Sequence, residues 1–201
     1  NVGGCFQQNY SQNVLTMFIQ SECANLKTGG SKIAFDIVNG TFQFQNSFWG
    51  TSGTVTGQTA FRLGTAASVF SVRGSHLEML TTGNTLIDDN TGEGSGHSQG
   101  NNIFDGNQVT VSEASNVCFD VATRGAWTVT NNHFQQGEDE ACTSTFNMGN
   151  ATDISNGHIL KFTQFGNVDN LFGTAGQTWA PTLGTGVVEQ ILAATHINAI
   201  E

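Results

Sequence analysis

Cys118-Phe119-Asp120-Val121 decides how this chain is read, because its four-residue shape occurs three more times. Ala34-Phe35-Asp36-Ile37, Ala60-Phe61-Arg62-Leu63 and Thr145-Phe146-Asn147-Met148 each set a small residue, Phe, a polar residue and a large apolar one in that order. The Phe positions 35, 61, 119 and 146 are 26, 58 and 27 residues apart, and the middle step is close to two of the others. Successive residues of a strand point to opposite faces, so each copy reads as a short strand with Phe on the apolar face. A strand that returns at a fixed period is the mark of stacked units. The missing copy belongs near residues 86–90, where Thr85-Leu86-Ile87-Asp88 is the candidate, with Leu86 standing for Phe.

A second series keeps step with the first. Its anchors are Phe18, Phe48, Leu77, Val109, Phe134 and Phe162, with steps of 30, 29, 32, 25 and 28 residues. Together the two series predict an all-β solenoid with coils of about 25–32 residues, spanning 1–172. The Gly-, Ser- and Asn-rich segment 90–102 reads as a loop insertion, and 173–201 as a C-terminal cap or intersubunit contact segment. Asn46, Asn107, Asn131 and Asn132 fall beside the expected corners. There Asn tolerates left-handed backbone and its amide can bond along the stack.

Composition agrees with many short strands joined by turns. The 201 residues include 15 Phe and 25 Gly but one Pro, so Gly and Asn must make the turns. The formal net charge is -10 and no basic run exists, which removes the electrostatic footprint of nucleic-acid binding. No stretch is long and apolar enough to insert in a membrane as a helix, and the first residues are not a signal peptide. The chain starts on Asn1 rather than Met, which reads as a processed product or an excised piece. Cys5, Cys23, Cys118 and Cys142 show no zinc spacing. They read as free buried thiols, with Cys5–Cys23 among the disulfides a secreted source would allow. Sequons occur at Asn9-Tyr10-Ser11, Asn39-Gly40-Thr41 and Asn150-Ala151-Thr152, and they carry weight only in a secretory context.

The Phe-x-aliphatic strands, together with Trp127-Thr128-Val129-Thr130-Asn131-Asn132-His133-Phe134 and Asn102-Ile103-Phe104-Asp105-Gly106-Asn107, resemble the right-handed parallel β-helices of pectate-lyase-like proteins and bacteriophage tailspikes. The resemblance covers residues 14–172. It implies a homotrimer in the virion tail, extracellular, that binds and often cleaves bacterial surface polysaccharide. The clustered Asp ligands and catalytic Arg of calcium-dependent pectate lyases are not matched, so neither metal nor cofactor is expected.

The polar residue beside each Phe is where chemistry is sought. Asp36, Arg62, Asp88, Asp120 and Asn147 would form a row across neighbouring strands, with Asp36 and Arg62 as an ion pair. Asp88 and Asp120 would be a carboxylate pair one strand spacing apart, and retaining glycoside hydrolysis needs such a pair ~5 Å apart. The first reading of this row is a solvated charge ladder, with the catalytic pair and ligand binding without chemistry as the alternatives. Trp49 follows Phe48 and so is expected to point outward as a sugar platform, with Arg62 and Asp36 as further substrate contacts. His76 and His133 precede Leu77 and Phe134 and are expected on the outward face. Asp88, Asp89, Glu93 and His97 form the acidic group nearest a His. The functional expectation is a tailspike or fibre component that recognises, and cleaves if Asp88 and Asp120 act as a pair, host surface polysaccharide. The alternatives are a non-catalytic structural or adhesive solenoid and a secreted polysaccharide lyase.

Overall fold

The structure is a computed structural model that describes residues 5–8, 15–24, 32–51, 54–89, 101–113, 115–121, 125–136, 144–148, 160–170, 182–183 and 188–191. All elements among them are strands. In chain order these are β1 (Phe6–Gln8), β2 (Leu15–Ile19), β3 (Glu22–Ala24), β4 (Ile33–Gln45), β5 (Phe48–Gly50) and β6 (Thr59–Arg73). Next come β7 (His76–Met79), β8 (Thr85–Asp89), β9 (Asn101–Asp105), β10 (Gln108–Val111), β11 (Val117–Val121) and β12 (Gly125–Thr130). The last are β13 (His133–Gln136), β14 (Ser144–Met148), β15 (Leu160–Phe165), β16 (Val168–Asn170), β17 (Thr182–Leu183) and β18 (Val188–Ile191).

Every pairing is parallel, and the strands form two sheets. The larger, of 12 strands, curls into a half-barrel; the smaller, of 6 strands, runs β16-β13-β10-β7-β5-β3 as an open sheet. This overturns the expected right-handed parallel β-helix of the pectate-lyase-like and tailspike type, which is a triple-sheet solenoid. The physical reason lies in β4 and β6. The sequence suggests two short strands in each, separated by a turn at Asn39-Gly40 in the first. Instead each runs on as one long strand, 13 and 15 residues, so the ladders on either side of the bend belong to one sheet. The β4–β6 register shifts on either side of Asn39-Gly40 with the extra residues in β6, where a bulge bends the strand without ending it, and Gly40 opposite takes a φ of 78°.

The Phe anchors meet across strands. Phe35 is opposite Phe61, Phe61 opposite Ile87, Ile87 opposite Phe119 and Phe119 opposite Phe146. The missing member of the row is therefore Ile87, not Leu86. The second series mixes the two sheets: Phe18 pairs Phe44 and Phe162 pairs Trp127 in the half-barrel, whereas Leu77, Val109 and Phe134 align in the open sheet. Trp49, not Phe48, is opposite Leu77. Inside, Phe35 stacks on Phe61 at 5.1 Å and Phe42 on Phe70 at 6.1 Å. Phe104 touches both Phe119 and Phe134, closing the half-barrel's two arms against the open sheet. Each large apolar side chain removed from water contributes roughly 1.5–3 kcal/mol.

One corner is built by a recurring pair of residues. Gln20, Asn46, Gly74, Gly106, Asn131 and Gly166 all have positive φ, between 47° and 66°. Each is followed by a Ser or Asn: Ser21, Ser47, Ser75, Asn107, Asn132 and Asn167. These side chains accept from the preceding layer's backbone: Ser21 N donates to Ser47 Oγ, Ser47 N to Ser75 Oγ and Ser75 N to Asn107 Oδ1. The row continues from Asn107 N to Asn132 Oδ1 and from Asn132 N to Asn167 Oδ1. A second corner repeats the device, with Gln58 N donating to Asn84 Oδ1 and Asn84 N to Asn116 Oδ1. The amide role expected of Asn107 and Asn132 is what these bonds supply, and Asn46 and Asn131 take the left-handed positions.

The cysteines depart from the free-thiol reading. Cys5 and Cys23 form a disulfide with Cα atoms 6.1 Å apart, Cys118 is also disulfide-bonded, and among the described residues no cysteine is free. The Cys5–Cys23 bridge closes the layer that holds β1, β2 and β3. Of segment 173–201, β17 and β18 extend the half-barrel at its two ends. Residues 90–100 of the expected insertion lie outside the described residues, and β9 begins at Asn101.

Candidate functional site

Two surfaces bring polar side chains together. The first is the row beside the Phe anchors. Asp36 is opposite Arg62, Arg62 opposite Asp88, Asp88 opposite Asp120 and Asp120 opposite Asn147. Arg62 Nε donates to Asp36 Oδ1 at 3.0 Å and its Nη2 to Asp36 Oδ2 at 2.6 Å. This two-pronged contact is the strong form of an ion pair. The row was expected to be solvated, yet Asp36 and Asp88 are buried, at 7% and 8% exposure, and Asp120 is half-buried. Registered positions on adjacent parallel strands lie ~4.8 Å apart. The predicted carboxylates Asp88 and Asp120 are therefore brought together, with the paired Arg62 on Asp88's other side. Asp89 points the opposite way and is fully buried, while Glu93 and His97 lie outside the described residues.

The second surface is the solvent side of the open sheet. Glu22, Phe48, His76, Gln108 and His133 make one cross-strand row, and Ala24, Gly50, Glu78, Thr110 and Gln135 the next. His76 and His133 are half-buried on this face, as expected. His76 Nε2 lies 3.2 Å from Glu78 Oε1, close but off the line of a hydrogen bond. Gln135 donates to Thr110 Oγ1 at 2.8 Å.

Phe48 has a built seat on this face. A Cβ on Gly50 would stand 2.7 Å from Phe48 Cζ, so the ring leans over a position that only glycine leaves open. The His76 ring meets it edge to face, at 5.6 Å and 83°. A shallow groove of about 560 Å³ opens here, between Glu22, Phe48 and His76 on one side and the turns at Gln20, Asn46 and Gly74 on the other.

Trp49, the expected sugar platform, is fully buried and presents no ring face to solvent. Phe is not the inward residue of every strand: in β5 the buried ring is Trp49 and Phe48 is on the solvent side. Counting from the corner gives the right answer: the residue two after each corner Ser or Asn is the buried one, as in Ser47–Trp49, Ser75–Leu77, Asn107–Val109 and Asn132–Phe134. At the second corner the count is three, from Gln58, Asn84 and Asn116 to Phe61, Ile87 and Phe119. Glu22, Phe48 and Glu78 were missed as surface residues, and the corner spacing is the signal that reveals Phe48.

Among the described residues no group of three or more His, Cys, Asp or Glu side chains could hold a metal ion. Nor is any helix there long and apolar enough to cross a membrane. Among the described residues, the fold and the two surfaces define an all-β protein of two parallel sheets, disulfide-linked, with an aromatic-bearing groove on its open sheet. Comparison with protein families, with curated proteins and with solved structures found no match.

Proposed function

We propose that the chain is an extracellular adhesive module that recognises surface polysaccharide through the groove on the open sheet. The observation that carries this reading is the Phe48 ring, seated on Gly50 and flanked by Glu22 and by the His76–Glu78 pair. An aromatic ring offers an apolar face to a sugar, and carboxylates and amides at its edge bond the hydroxyls; binding sites combine these two kinds of group. The disulfides support an oxidising, extracytoplasmic setting. The virion setting rested on the resemblance to tailspikes and loses that support with the fold. Self-association as a homotrimer stays part of the proposal. The stripe Leu15, Met17 and Ile19, exposed on β2, is the surface it would use, and chain mass in solution tests it.

The experiment is a glycan array followed by titration of the best ligand. Phe48→Ala should weaken binding by about tenfold or more, as loss of a buried aromatic anchor does. Gly50→Ala should do the same by displacing the ring, while the melting temperature of both stays close to that of the wild type. Equal affinity in all three proteins removes the groove from the reading.

Cleavage of the bound glycan is a second reading, with one observation in its favour: Asp88 and Asp120 occupy registered positions on β8 and β11. One carboxyl would protonate the glycosidic oxygen while the other attacks the anomeric carbon. Product release that persists in both Asp88→Asn and Asp120→Asn ends that assignment.

A further inference from the structure

Three sequons stand in the sequence, and the structure describes one of them, Asn39-Gly40-Thr41; those at Asn9 and Asn150 lie outside the described residues. We propose that Asn39 is an N-glycosylation site. A sequon in a chain so rich in Asn and Thr has little meaning by itself, and two independent observations give this one its weight.

The first is its place in β4. Most of this long strand is covered on at least one of its faces, and Ala34 through Ile37 are buried on both. Asn39 and Thr41 are both half-exposed, with only the glycine between them buried. The β4–β6 register shifts between Ile37 and Asn39 and again between Gly40 and Thr41, and at each shift the extra residue is in β6, so the sequon lies opposite an irregular stretch of its neighbour. Asn39 and Thr41 share one face of β4 and are half-exposed there, which is what a folded strand needs if one of its side chains is to carry a bulky, hydrated group. A sequon in the flat part of the same strand, at the level of Phe35, would have to bury its glycan.

The second observation is the oxidation state. Cys5–Cys23 is bridged and Cys118 is bridged. Disulfides persist where thiols are not kept reduced, and the enzymes that glycosylate sequons work in those same compartments.

The chemistry balances without any redox change. Asn39 Nδ2 attacks the anomeric carbon of an oligosaccharide carried on a lipid pyrophosphate. The carbon–oxygen bond to the pyrophosphate breaks and a carbon–nitrogen bond forms. The lipid pyrophosphate departs with the bonding pair, and the amide proton passes to a base of the transferase. The hydroxyl of Thr41 is the part of the sequon that the transferase requires at this position.

The test is to secrete the full chain from a eukaryotic cell line and digest it with a peptide-N-glycosidase in heavy-oxygen water. Peptides are then mapped by mass spectrometry. The expected result is a glycan on the peptide that contains Asn39, with heavy-oxygen Asp left at that position after digestion. Thr41→Ser should keep the glycan, and Thr41→Ala and Asn39→Gln should each lose it from that peptide. Recovery of Asn39 as unmodified Asn in the disulfide-bonded chain overturns the proposal. So does ordinary-oxygen Asp, because that marks simple deamidation at the Asn-Gly bond.

Discussion

Two rows of side chains cross the strands of this molecule at the same spacing, and they hold neighbouring layers by different means. The corner row from Ser21 to Asn167 is neutral and, from Ser47 onward, buried. The row from Asp36 to Asp120 is charged and is buried only at Asp36 and Asp88. An amide carries both a donor and an acceptor, so each member can satisfy the layer on either side. Asn132 Oδ1 accepts from Asn107 N, while Asn132 Nδ2 donates to the Phe104 carbonyl and to Asn167 Oδ1. Such a row can repeat without limit. A carboxylate only accepts, so a charged row needs alternating signs. Here the alternation runs Asp36, Arg62, Asp88 and then fails at Asp120.

Removing a link from each row sharpens the contrast. Asn132→Ala leaves the Asn107 N–H and the Phe104 carbonyl without their partner deep in the protein. Each orphaned group costs about 1–3 kcal/mol, so the variant should lose about 3–5 kcal/mol in a denaturant melt. A loss near zero there would mean that the corner amides follow the fold rather than hold it. Arg62→Met comes next. It removes the two hydrogen bonds that the guanidinium gives Asp36 and the positive charge beside Asp88. Breaking a fully buried pair from one side costs about 3–5 kcal/mol, but the Arg62 side chain is 27% exposed. Solvent therefore screens part of the loss, and about 1–3 kcal/mol is expected. Asp36→Asn combined with Arg62→Met should recover part of it, since the double variant leaves one fewer charge unpaired.

These rows also mark how far the sequence could be read. The Phe positions revealed which residues stand opposite each other, because parallel pairing at a steady spacing leaves a period in the chain. Asp36, Arg62, Asp88 and Asp120 were placed in one row correctly for that reason. The number of sheets was not legible. Two-residue alternation records which face a side chain takes, and it is silent on whether the chain breaks or bends at a corner. Asn39-Gly40 reads as a turn between strands and proves to lie within one, opposite a bulged stretch of β6. Trp49 failed for a related reason: the parity of a strand is set by its corner, and the Asn46-Ser47 corner puts Phe48 outside and Trp49 inside. Burial of the charged row was equally hidden, because nothing in Asp36 or Asp88 themselves tells that both faces of their strands are covered.

The smallest expected effect belongs to Asp120→Asn, and it divides the two readings of the charged row most cleanly. Asp120 is half-buried and its registered neighbours are Asp88 and Asn147, neither of them a cation. Like charges directly opposite each other on a sheet are destabilising. If the row is only a cross-strand charge ladder, the substitution removes a repulsion, and stability should stay level or rise by about 0.2–1 kcal/mol. The gain should shrink in high salt, which screens exposed charges. If Asp88 and Asp120 instead form a working pair, the repulsion is tolerated for its chemistry, and the same variant should gain stability while losing all glycan cleavage. Melting and product release measured on one preparation separate the cases: a gain with no activity to lose identifies a ladder, and a gain with activity lost identifies a site.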